Sequence, residues 1–160
     1  MWYNASIMRR FAILTALLAL VSGCSTATYR QCVEPAGEVL SVHETVARFE
    51  GFEEVPCRHL TTACPTQCSH GGRYARFEIE RYERYEKPGK YGDEQQASFA
   101  FRVALRDGSP DAQTPVALRQ LVEVLKPGQK VSLTWKHLYV TDPATGSKWP
   151  ERVVMFLQTE

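Results

Sequence analysis

The chain reads as a mainly β domain, a small five-stranded antiparallel barrel with one α-helix between its third and fourth strands. Three observations predict this. Apolar and polar residues alternate with period two at four places and a short apolar run near the C-terminus adds a fifth, one stretch of period 3.6 interrupts them, and no regular strand–helix alternation asks for a parallel sheet. Five strands are too few for a sandwich, so the sheet is expected to curl on itself.

The first strand falls within residues 39–54, where Ala47, Phe49 and Gly51 alternate with Arg48, Glu50 and Phe52. The second follows Gly71 and Gly72, with Ala75, Phe77 and Ile79 on one face and Tyr74, Arg76, Glu78 and Glu80 on the other. Its end, residues 81–87, interleaves Tyr82 and Tyr85 with arginines and glutamates until Pro88-Gly89 and Tyr91-Gly92-Asp93 break it into a long exposed loop. Phe99, Phe101, Val103 and Leu105 mark the third strand, which Asp107-Gly108-Ser109-Pro110 ends. Thr114-Pro115 offers an N-cap and a first-turn proline, and Leu118, Leu121, Val122 and Leu125 recur at i, i+3, i+4 and i+7. Lys126-Pro127-Gly128 stops that helix. Val131, Leu133 and Trp135 define the fourth strand and residues 153–157 the fifth, separated by the turn-rich loop 142–146.

Strand, strand, strand, helix, strand, strand is an order that resembles the OB-fold, a Greek-key barrel whose open face and loops bind extended ligands. The resemblance lies in order and length only. It implies a binding surface and names no ligand.

Ahead of the domain stands an export signal. Met8-Arg9-Arg10 leads an apolar run over residues 11–21 that stops at Val21-Ser22-Gly23-Cys24. About 11 apolar residues cannot span a hydrocarbon core about 30 Å thick. Met8 is the expected start, with residues 3–7 upstream of it. An aliphatic residue, two small ones and a cysteine resemble the lipobox of bacterial prolipoproteins. The resemblance implies cleavage before Cys24, a diacylglyceryl thioether on its sulfur and an acylated amine, and several acyl chains hold firmly where one holds marginally. It also implies a bacterial cell-envelope address. Ser25 rather than aspartate after the cysteine implies, in a Gram-negative host, the outer membrane facing the periplasm.

Residues 1–23 are therefore read as signal peptide, 24–38 as a lipidated tether rich in small and polar residues with Pro35 and Gly37 as breakers, and 39–160 as one domain. The tether is expected to hold the domain off the membrane. Losing Arg9 and Arg10 leaves 17 basic residues against 18 acidic ones, a net charge of −1. A near-neutral domain lacks the basic surface that displaces counterions from nucleic acid, so no nucleic-acid partner is expected.

The densest chemistry lies in the loop 56–72, where Cys57, His59, Cys64, Cys68 and His70 fall within fourteen positions. Thiolates and imidazoles are the ligands that zinc and copper(I) favour, and Cys57, Cys64, Cys68 and His70 would make a Cys3His set, with His59 as the alternative nitrogen. The oxidising compartment implied by export offers a competing reading. With Cys24 lipidated, four cysteines remain, and Cys32, Cys57, Cys64 and Cys68 could form two disulfides in any of three connectivities. A redox-active pair is a third reading, although Cys64 and Cys68 are separated by three residues rather than the two usual in such motifs. These alternatives stay open on sequence alone.

The remaining polar residues read more simply. His43 lies in the first strand segment, and His137 follows Trp135 on one strand face and reads as a core-edge or surface residue rather than a ligand. Tyr74, Tyr82, Tyr85 and Tyr91, interleaved with Arg73, Arg76, Arg81 and Arg84, could stack on a ligand, or could cover a barrel rim while the arginines pair with Glu78, Glu80, Glu83 and Glu86. Asp93 and Glu94 show no acid–base partner nearby in sequence. No nucleophile elbow, phosphate-cradling loop or paired-histidine metalloprotease helix occurs. The chain is expected to be a non-enzymatic binding or sensing lipoprotein, meeting the membrane through Cys24, with an envelope protein or small ligand as partner. The alternative is a periplasmic zinc- or copper-binding protein.

Overall fold

A computed structural model describes residues 27–33, 36–57, 71–142 and 144–160. Its elements are β1 (Thr28–Arg30), β2 (Glu38–Val55), β3 (Gly72–Glu86), β4 (Ser98–Ala104), α1 (Val116–Val124), β5 (Lys130–Thr141) and β6 (Lys148–Thr159). All five expected strands are present, with the helix where the 3.6 periodicity placed it. They form one antiparallel sheet in the order β1-β6-β5-β2-β3-β4.

Two expectations need correction. The sheet has six strands rather than five and is open, where a small closed or partly open barrel was expected. The alternation of directions from β6 through β5, β2 and β3 to β4 leaves β4 and β6 running the same way, and the sheet's two edges are β4 and the three-residue β1 beyond β6. The sixth strand, β1, comes from the segment expected to be tether. It pairs with β6 through Thr28↔Gln158, Tyr29↔Leu157 and Arg30↔Phe156, and Tyr29 is buried in the core. Aromatic burial on a paired strand outweighs the small, polar composition around it.

The sheet curls because its ladders are bulged. Register shifts interrupt β2–β3 at three points and β2–β5, β3–β4 and β5–β6 at one each, and every bulge bends its strand and increases local twist. The curl gathers Phe49 of β2, Phe77 of β3, Phe101 of β4, Trp135 of β5 and Tyr29 of β1 into one core, with Leu118, Leu121 and Val122 of α1 packed among them. Residues from both sheet edges thus share a single interior.

The helix starts differently from expectation. Pro115 takes the N-cap position with no side-chain cap, because the Thr114 hydroxyl donates instead to the Arg102 carbonyl at 2.6 Å. Outside the sheet, Arg84 pairs with Glu44 and Glu86, Arg81 with Glu83, Arg76 with Glu50 and Glu53, and Arg73 with Glu123. Exposed pairs of this kind contribute about 0–1 kcal/mol each, so the arginine stripe is a solvated face, and its specificity for strand pairing matters more than its energy.

Candidate functional site

The alternation that buries Ala47 and Phe49 of β2 also turns Ser41, His43 and Thr45 inward, and all three are buried. The inner face of the sheet is therefore aromatic at one end and polar at the other. Opposite His43 across the β2–β5 ladder stands Trp135, and the two rings stack at 4.5 Å, 9° from parallel. Tyr85 closes the other side of the imidazole at 5.1 Å, and its Nε2 lies 2.8 Å from the Ser41 hydroxyl. Burial pushes His43 down to about 4, with Asp93 opposing and His137 and Arg152 assisting. It is a neutral imidazole at pH 7.

The loop after β3 covers this polar end. Gly92 permits it, because a Cβ there would stand 2.1 Å from the Leu40 carbonyl oxygen. The Tyr85 hydroxyl donates to the Asp93 carbonyl, and the Tyr82 hydroxyl accepts from the Gln96 N–H at 2.8 Å. The tyrosines expected to offer a stacking surface are thus partly spent on fastening this loop, although Tyr91 projects into solvent.

Pinned in this way, the Asp93 carboxylate meets Arg152 of β6 in a two-point pair at 2.6 and 3.0 Å. Its Oδ1 also lies 3.3 Å from His137 Nδ1, close enough for charge coupling but too poorly aligned for a hydrogen bond. Burial alone would raise the Asp93 pKa, and the Arg152 guanidinium outweighs it and holds the carboxyl below its ordinary range. Burial, with Arg152 adding and Asp93 opposing, keeps His137 neutral to lower pH than a free imidazole. Asp93 and His137, which showed no relation in sequence, are neighbours here. Arg152 and Ser41 drew no attention in sequence, and the only signal was the Tyr91-Gly92-Asp93 turn.

His137 forms the floor of a cleft of about 450 Å³ between residues 100–102 of β4 and 150–152 of β6, flanked by Gln113 and Thr114. Beside the cleft wall Arg102 pairs with buried Asp111 at 2.8 Å. A second, more apolar hollow of about 590 Å³, lined by Leu40, Tyr91, Tyr139 and Pro150, opens from the other side of His137. The two share His137 and Pro150, so they adjoin.

No family model, curated protein or solved structure matches this chain. Its function is read from its own chemistry. The surface near His137 combines hydrogen-bonding groups with an apolar recess, the usual composition of a ligand site. Ser41, next to a histidine as a nucleophile would be, is 0 % exposed and sealed from the cleft.

Of the sulfur and imidazole candidates, Cys57 is disulfide-bonded and Cys32 is a free, exposed thiol. A pairing of all four cysteines into two disulfides, one of the readings open on sequence, would need Cys32, whose thiol is free here. A sulfur engaged in a disulfide is not a thiolate, so Cys57 cannot serve the expected Cys3His set in this state. Cys24, His59, Cys64, Cys68 and His70 lie outside the described residues. Among the described residues no group of three metal-ligating side chains converges.

Proposed function

We propose that this chain is a lipid-anchored envelope protein, held by Cys24, whose sheet acts as a non-enzymatic binding or sensing module and takes its ligand in the cleft floored by His137. The cleft carries the reading. It joins polar groups to an apolar recess on a curled sheet, and the order of elements keeps the likeness to OB-folds, which bind on an open sheet face. The lipobox supports the anchor, and the disulfide at Cys57 suits an oxidising compartment. That same disulfide disfavours zinc or copper storage as the function.

Expression of the full chain in a Gram-negative host with labelled palmitate tests the anchor. The label and outer-membrane fractionation are expected for the native chain and lost on Cys24→Ala, which should accumulate as precursor. Normal processing of Cys24→Ala, or a native chain without label, would overturn it.

A further inference from the structure

We propose that the cleft is a strand-acceptor slot, taking an extended peptide segment of a partner protein antiparallel to both β4 and β6. The inference rests on the binding reading above and names its ligand class. Its basis is strand direction. Because β4 and β6 run the same way, one strand of opposite direction is what would complete the curl between them. The described residues supply only a fragment of that strand. β1 has the required direction but pairs with β6 over three residues, and after the Gln31 N–H donates to the Met155 carbonyl at 2.8 Å the backbone leaves through Cys32 and Val33, the latter 71 % exposed. Among the described residues, no strand continues β1 along residues 148–154 on the side away from β5.

Backbone phase makes the slot usable. The Ile79 N–H donates to the Ala97 carbonyl, and the β3–β4 register runs unshifted from Glu78↔Ser98 to Tyr74↔Arg102. The backbone groups of Phe99 and Phe101 therefore face β3, and those of Ser98, Ala100 and Arg102 face outward. The Thr114 hydroxyl on the Arg102 carbonyl agrees with that phase. On the other wall, the Glu160 N–H donates to the Lys130 carbonyl, so β5 turns its even-numbered residues to β6. Val153, opposite Lys136, faces β5, which leaves Arg152 and Val154 facing outward. Pro150 holds a position where an N–H would face the open edge, and so limits strand addition to the stretch beyond it.

Side-chain positions set the preference. An added strand continuing the direction of β1 passes Arg152 and His137 first, then Pro150 and Tyr139 two residues later. Alternate residues of a strand share a face, so the occupant places a hydrogen-bonding side chain at position i and an apolar one at i+2, in the recess beside Leu40 and Tyr91.

The probe is a fluorescent peptide, Lys-Thr-Gln-Thr-Phe-Thr-Lys, blocked at both ends. Its controls are Lys-Thr-Gln-Phe-Thr-Thr-Lys, which puts Gln and Phe on opposite faces, and the probe with proline between them. Anisotropy with the mature lipidated chain in detergent should show the probe binding about tenfold tighter than either control, the worth of one or two edge hydrogen bonds. Hydrogen exchange should slow at residues 98–102 and 151–154. Ala100→Pro, which removes an outward N–H and leaves the β3 ladder intact, should weaken the probe about fivefold, while Ala100→Gly binds as the native chain does. Equal affinity for all three peptides, no binding at millimolar concentration, an unaffected Ala100→Pro or a Gly variant as weak as the Pro variant would each overturn the slot. So would protection of Ala100, Arg152 and Val154 amides before peptide is added, since a second copy or another part of this chain would then fill the gap. Palmitate labelling reads the anchor independently, so the two proposals fail separately.

Discussion

Among the described residues, His43 is the side chain through which acidification bears hardest on the fold. His43 is 0 % exposed, stacked on Trp135 and faced by Tyr82 and Tyr85 of β3, Ser41 of its own strand, His137 of β5, Asp93 of the covering loop and Arg152 of β6. Its folded pKa of about 4, against an ordinary 6.5, means that the unfolded chain takes up a proton at a pH where the folded chain does not. Stability from this group is therefore full above pH about 6.5 and is lost progressively as the pH falls to about 4. A gap of about 2.5 between the two values is worth about 3 kcal/mol, a large part of the 5–15 kcal/mol typical of a domain. His43→Phe keeps a ring against Trp135 and removes the titration, at the constant cost of the Ser41 hydrogen bond. Urea unfolding followed by tryptophan fluorescence, at steps from pH 7 to pH 4, should show the stability difference between native and variant chains change by about 3 kcal/mol, in the variant's favour toward acid. Carboxylates and His137 titrate in both chains and largely cancel. Parallel stability curves across that range would refute the reasoning.

Three further outcomes follow from the same region and from the cysteines. Gly92→Ala drives a methyl into the Leu40 carbonyl, which is backbone and cannot swing aside, so a loss of about 2 kcal/mol or more is expected, with faster amide exchange over residues 91–96. Arg152→Ala leaves the largely buried Asp93 carboxylate without its hydrogen-bonded cation and should cost about 1–3 kcal/mol at pH 7. The depressed Asp93 pKa stabilises the native fold above the ordinary value of 3.8 and that contribution fades as the pH falls through the lower folded value, so NMR titration of the variant should find Asp93 protonating at higher pH. Under native, non-reducing conditions Cys32 should react at once with a thiol reagent, whereas Cys57→Ser should release one new reactive thiol and lower stability by about 2–4 kcal/mol, read by urea unfolding.

Local pattern carried far in this chain and failed where function depends on meeting across it. Period-two alternation located β4 and β5, and the spacing of Leu118, Leu121 and Val122 located the helix, because each buries one face against a single core. β1 escaped notice because three residues are too few to show a period, and only the register against β6 reveals Tyr29 as core. The barrel expectation was met only as an open, curled sheet, since sequence order does not reveal how far the ladders close or that a short β1 adds to β6. Asp93 and Arg152 are separated by 59 positions, and nothing local to either announces the other. His137 read as a core-edge or surface residue and is 7 % exposed, and its place under a cleft depends on the curl of six strands.

The docking of Tyr29 alters what an anchor at Cys24 would mean. Thr28 follows that cysteine by four residues, and a fully stretched chain covers no more than about 3.3–3.6 Å per residue, so under the proposed lipidation the leash between bilayer and sheet measures about 14 Å at most. A flexible tether through residue 37 would have let the domain sweep a wide shell of the envelope. On so short a leash it instead rides close to the headgroups with little freedom to turn, and a partner has to present its segment near the bilayer surface to be caught.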